Sequence, residues 1–150
     1  MNTSAVQTEE SAWKSAAEGI ESTGETKKRI LVVESDTAGA RKLAGLLNSA
    51  GFEAMTHDAS NAAAAAKKTP PDLVIVDISM LGETGFGVAE RIQQSIRWCV
   101  PTIFVTTREE PHLRKKAEVF EAAGFFEGLY ETSELVAAIN SALRDEDAES

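Results

Sequence analysis

Three short apolar runs punctuate the chain: Ile30–Val33, Leu73–Val76 and Thr102–Val105. None has a polar face, and continuous β-branched and aliphatic side chains mark strands buried on both sides. A weaker alternating run over 52–56 predicts another strand, and Gly-Phe-Phe-Glu-Gly-Leu-Tyr over 124–130 a fifth. Helical patterns fill the intervals. Residues 38–50 place Leu43, Leu46 and Leu47 on one face, and Gly51 closes them as a C-cap. Residues 60–68 are alanine-rich, opened by a Ser or Asp cap and stopped by Pro70-Pro71. Further helices are predicted over 84–96, 111–123 (closed by Gly124) and 133–143. Strand and helix alternate throughout, which predicts an α/β fold. Its form is a doubly wound, five-stranded parallel sheet, flavodoxin-like (βα)5, with right-handed crossovers and helices on both faces.

In such sheets ligands bind beyond the carboxyl ends of the strands, where the strand order reverses. Polar groups gather at three of those ends: Glu34-Ser35-Asp36, Asp77-Ile78-Ser79 and Thr106-Thr107. An acid ending the buried run Leu-Val-Ile-Val-Asp costs free energy to desolvate unless a metal, a hydrogen-bond network or a chemical role compensates it. The candidate site is therefore one acidic crevice.

Composition narrows the classes. The chain has 150 residues, 43% of them hydrophobic and 26% charged, enough for one globular core. Residues 1–27 are poor in large apolar side chains, with Trp13 and Ile20 as the exceptions, and predict a disordered leader. The globular domain then spans 28–144, and 145–150 form an acidic tail. No apolar run approaches a membrane span of roughly 20 residues, and no signal-peptide core precedes the first strand, so the expected location is cytoplasmic. A net charge of −9 disfavours nucleic acid and anionic membranes as direct partners. The single cysteine, Cys99, excludes an internal disulfide and reads as a small buried hydrophobe. His57 and His112 are far apart and read as surface residues, and Trp13 and Trp98 lack the stacking companions of a nucleic-acid platform. The loop after the first strand, Glu-Ser-Asp-Thr-Ala-Gly, has neither of the glycine-rich patterns that cradle nucleotide phosphates. An enzyme is not expected.

On four stretches the chain resembles the receiver domains of two-component response regulators: "KKRILVVESD", "PDLVIVDISMLGETGF", "VPTIFVTT" and "EAAGFFEGL". The likeness covers about residues 28 to 144. It implies that Asp77 is the phosphoacceptor, followed by Met80, Gly82 and Gly85, with Leu81 where proline is usual. It implies phosphoryl transfer from a histidine kinase. Magnesium would be held by Glu34, Asp77 and the carbonyl of Ser79, with Asp36 as an additional candidate, and Thr106 would contact the phosphoryl group, with Thr107 in the small-residue position after it. Magnesium there offsets carboxylate and phosphoryl charge.

Several positions depart from the family. Ser35 stands at the second acid of the metal site, which removes one charge and a strong oxygen donor. The match puts Glu131-Thr132 where Lys-Pro is expected and Gly128 at the aromatic switch position, with Tyr130 two residues on. No lysine follows Lys116 in any register. Losing a charge-assisted phosphoryl contact forfeits about 1.5–3 kcal/mol, ten- to a hundred-fold in an equilibrium. A glutamate aimed at the same group adds repulsion of up to about 4 kcal/mol at an effective dielectric near 20. The expectation is an atypical, pseudo-receiver-like, single-domain response regulator. It would bind magnesium weakly or not at all, and would act through protein contacts on the 111–144 face. A conventional phosphorelay receiver is the alternative, and a fragment of a hybrid kinase or larger regulator would make the leader a linker.

Overall fold

The computed structural model describes residues 27–96, 99–128 and 130–149, with side chains to residue 144. Trp13, Trp98 and all but the last residue of the 1–27 leader lie outside the described residues. The chain runs β1 (Arg29–Val33), α1 (Thr37–Ser49), β2 (Glu53–His57), α2 (Ala59–Lys68), β3 (Leu73–Asp77), α3 (Thr84–Ser95), β4 (Thr102–Thr106), α4 (Pro111–Phe120), β5 (Gly124–Glu127) and α5 (Thr132–Glu149). All strand pairs are parallel, in the order β2-β1-β3-β4-β5. The predicted flavodoxin-like sheet is thus the observed one, with its order reversing between β1 and β3.

The three continuous apolar runs are the three interior strands, and their side chains alternate strictly between two cores. Leu31, Val33, Val74, Val76 and Phe104 pack with Ala62 and Ala66 of α2, Val88 and Ile92 of α3, and Leu113 of α4. Ile30, Val32, Leu73, Ile75, Ile103 and Val105 pack with Leu43 and Leu47 of α1 and Leu135 and Ile139 of α5. The weakest strand pattern belongs to β2, an edge strand with only β1 beside it. It starts at Glu53 because Phe52 is drawn into the α1 core.

Capping sets the helix starts. Asp36 accepts the N–H groups of Ala38 and Gly39 at 3.3 and 3.2 Å, and Asp58 accepts the Asn61 N–H at 3.0 Å. Gly51, at φ +99°, turns the chain out of α1 as predicted. Two ends differ from expectation. Helix α4 stops at Phe120, with Glu121 itself in the left-handed conformation (φ 66°), because Gly124 is already committed to pairing in β5. Residues 145–149, expected as a tail, continue α5.

Cys99 is exposed and not buried as expected. Val100 takes the interior position instead, its backbone clamped by Gln93. The Gln93 Nε2 donates to the Val100 carbonyl at 2.6 Å, and its Oε1 accepts the Val100 N–H at 3.1 Å.

Two glycines should respond oppositely to alanine. A Cβ on Gly85 would overlap Ile78 Cγ2 and lie 3.1 Å from Ile78 Cβ. Gly85→Ala is therefore expected to destabilise by about 1–3 kcal/mol through overpacking. Gly45 lies inside α1 with open space where a methyl group would project, so Gly45→Ala should stabilise by about 0.5–1 kcal/mol. Urea unfolding of the two variants checks both signs.

Candidate functional site

The crevice opens where β1 and β3 part company. Val33 and Val76 are paired neighbours in the sheet, so the residues that follow them, Glu34 and Asp77, emerge side by side. A cleft of about 470 Å³ lies over them, lined by Glu34, Ser35, Asp36, Asp77, Ser79, Met80 and Thr107. Turn hydrogen bonds fix its walls. Asp77 Oδ1 accepts the Ser79 N–H at 2.8 Å, and Ser79 Oγ accepts the Thr107 N–H at 2.9 Å, which ties the loop after β3 to the loop after β4.

Two carboxyl groups this close cannot both ionise cheaply. Burial, first, and then the hydrogen bond and charge of Asp77, with Asp36 adding to it, push Glu34 from 4.5 up to about 8. At neutral pH Glu34 therefore keeps its proton beside Asp77. Gly39 makes room for it, since a Cβ there would sit 2.7 Å from Glu34 Oε2. Burial also pushes the Tyr130 hydroxyl up, with the charges of Asp77 and Glu34 adding to it, which places that ring beside the acids.

The predicted site residues do not all converge. Glu34, Asp77, Ser35, Asp36 and Ser79 do. Asp36 is engaged as the N-cap of α1, so its carboxylate is divided between helix and crevice. Thr106 is buried, its Oγ1 accepting the Arg108 N–H at 2.9 Å, and Thr107 is the threonine that lines the cleft.

The largest correction is the register at the end of β5. That strand stops at Glu127, paired with Thr106, and the next N–H, Gly128, donates to the Thr106 carbonyl at 2.9 Å. Gly128 thus occupies the strand end beside Asp77, where the sequence pattern puts Glu131, while Glu131 is exposed at the start of α5. Keeping the same three-residue spacing moves the aromatic position from Gly128 to Phe125. Its ring packs in the α4 core beneath the Arg114 guanidinium, 5.0 Å from the centroid. The difference arises because the alternating pattern runs on to Tyr130, whereas Gly128 breaks the strand. Gly128 sits at φ +71° with its Cβ position 2.7 Å from Glu109 Oε2.

Sequence reasoning also missed Lys42. Together with Glu34, Asp77, Gly128 and Tyr130 it lines a second cavity, of about 310 Å³, between α1 and the end of β5. The available signal was its spacing: Lys42 lies three residues beyond Gly39, on the same face of α1.

A parallel sheet in this order, with paired acids at the reversal of strand order, defines a flavodoxin-like fold with its site at the switch point. Residues 30–140 match the response regulator receiver domain family, and the chain belongs to it. It is 32% identical over 124 residues to the sensory transduction protein RegX3 of Mycobacterium tuberculosis, covering 80% of this chain and 54% of that protein. It is 31% identical over 117 residues to the transcriptional activator protein IrlR of Burkholderia pseudomallei, covering 77% of this chain and 50% of that one. The chain thus spans about half the length of these relatives. Among solved structures it is similar to the N-terminal domain of a response regulator/sensory box/GGDEF protein from Carboxydothermus hydrogenoformans. The TM-score is 0.69 at 29% identity, over 81% of this chain and 98% of that one. A CheY-like receiver domain protein from Methanospirillum hungatei shares the fold at TM-score 0.74 and 21% identity, over 83% and 100% of the two chains. The family is that of the receiver domains of response regulators, regulatory modules of two-component signalling. No helix among the described residues is long and apolar enough to cross a membrane.

The proton on Glu34 sets a pH dependence. The folded chain keeps it up to about pH 8, whereas unfolding returns Glu34 to its usual 4.5. The folded state therefore binds more protons in that window, and the stabilisation, full below about 4.5, is lost as pH rises to about 8. Glu34→Gln should flatten this part of the stability curve in metal-free buffer. Denaturant midpoints measured across the window check it, and parallel curves for the two proteins would refute the assignment.

Proposed function

We propose that this receiver is atypical: Asp77 is its phosphoacceptor position, but phosphorylation switches the fold weakly, and output runs through protein contacts. The observation that carries this reading is the geometry of the crevice. Glu34 and Asp77 stand together, while Ser35 and Gly128 supply neither the second metal acid nor the strand-end lysine.

The donor set fits a weakly held magnesium ion. Glu34, Asp77 and the Ser79 carbonyl would hold it, and it would supply charge neutralisation at the carboxylate. Asp36 contributes less because the helix cap claims it. Among the described residues no three carboxylate, imidazole or thiolate groups converge as ligands. Cation binding also requires Glu34 to ionise, so it competes with the proton.

A phosphoryl group shifts a conformational equilibrium only by its differential affinity for the two states. Thr106 retains a hydroxyl and Phe125 retains a ring, but the bridging lysine of β5 is missing. The switch is weakened at that link. The conventional phosphorelay reading is favoured by the intact set of Glu34, Asp77 and Ser79, and the same experiment separates the two. Acetyl phosphate with magnesium, read by intact mass, tests whether Asp77 is used. Beryllofluoride, read by amide chemical shifts, tests the switch. Shifts confined to the loops around Asp77 are expected, and broad changes across 111–144 would establish the conventional switch. Ser35→Asp is expected to tighten magnesium binding, and sub-millimolar saturation of the native chain would refute the weak-site reading.

The partner surface we assign to α4, β5 and α5, the 111–144 face, with no nucleic acid as ligand. Strand β5 is an edge of the sheet, with open hydrogen-bonding groups along its outer side. Beside it Arg114 joins α4 to β5 through Glu127 at 2.7 Å and covers Phe125. Of the aromatics on this face, Phe125 and Phe126 pack against opposite cores and are partly buried, so the surface chemistry is mainly charge. Glu118→Lys, Glu127→Lys and Glu131→Lys together should abolish capture of the cognate kinase or target, and unaltered capture would reject this face.

A further inference from the structure

Lys42 lines the cavity between α1 and the end of β5 with Glu34, Asp77, Gly128 and Tyr130. Gly128 has no side chain, and the cavity of about 310 Å³ lies between it and α1. The opposite wall is α1. Gly39 clears that wall for the Glu34 carboxyl, and Lys42, one turn further along the same helix face, faces the same space.

Lys42 forms no ion pair among the described residues, although three acids surround the crevice. Of the other basic groups, Arg41 lines a separate cavity with Glu34 and Ser35 that Asp77 does not border, and two arginines are paired. Arg108 is bound to Glu110 at 2.6 Å, and Arg114 to Glu127 at 2.7 Å. Neither lines a cavity with Asp77. An ammonium on a flexible four-carbon stem can follow a charge that grows on Asp77.

We infer that Lys42 supplies, from helix α1, the cation for an anionic group carried on Asp77, in the cavity between α1 and the end of β5. The inference rests on the reading of Asp77 as phosphoacceptor and adds to it the residue that grips the anion. No bond forms or breaks at Lys42. Its N–H groups donate to the oxygens, or to the fluorines of an analogue. The arrangement holds the anion from the α1 side and pulls nothing from β5, so the group is retained without driving the α4–β5–α5 face.

The test uses the full chain with beryllofluoride at fixed magnesium. Binding is read by the ¹⁹F resonances of the bound group and by the amide shift of Asp77. Lys42→Ala is expected to weaken binding about ten-fold or more, the loss of one charge-assisted contact. Lys42→Arg should keep most of the affinity. Lys68→Ala, which removes the same charge from the end of α2, should leave it unchanged. Lys42 is exposed and alanine is the best helix former, so the variant's amide spectrum should remain that of the folded chain. Native binding with Lys42→Ala equal to Lys68→Ala overturns the lysine assignment and leaves Asp77 standing. No binding by the native chain overturns the Asp77 reading, and the role of Lys42 with it.

Discussion

The structure depends on burying three adjacent parallel strands on both faces. β1, β3 and β4 have no solvent side, so every polar group they carry must leave at an end. Parallel pairing then collects those ends on one rim, and the pairing of Val33 with Val76 sets Glu34 against Asp77. Thr102 shows what a polar group inside that sheet requires. It is buried, and its hydroxyl accepts from Gln93 Nε2 at 2.9 Å. Helices on both faces supply the two cores, but the strand register positions the chemistry.

That hierarchy explains what is legible in the sequence. The interior strands are readable because nothing but burial accounts for Leu-Val-Ile-Val, and Asp77 stands out because such a run ends in an acid. The helices are readable from Leu43 and Leu47 and from glycine and proline stops. The end of β5 is not. Gly124 to Tyr130 alternates weakly, and only the hydrogen bond from Gly128 to Thr106 fixes where pairing stops. A shift of three residues there moves two assigned roles. Lys42 is illegible for a different reason. A lysine on an exposed helix face looks like solvated charge until the opposite wall is known to be an empty strand end.

The crevice also illustrates how a fold accommodates several carboxyl groups in one place. Glu34 is held protonated beside Asp77, and Asp36 is drawn off to the dipole at the start of α1. Ser35 is the neutral member of the set. Each device lowers the charge density at a different atom, and each lowers the attraction for a divalent ion as well.

Gly128 carries a consequence for the site. Its left-handed backbone costs any other residue about 1–2 kcal/mol. A lysine arriving there by mutation would also meet the Glu109 carboxylate before it met Asp77. The strand-end contact of the family is therefore not one substitution away. The backbone would have to relax and Glu109 would have to yield as well, so a side chain on this strand end reaches the acids only after both have moved.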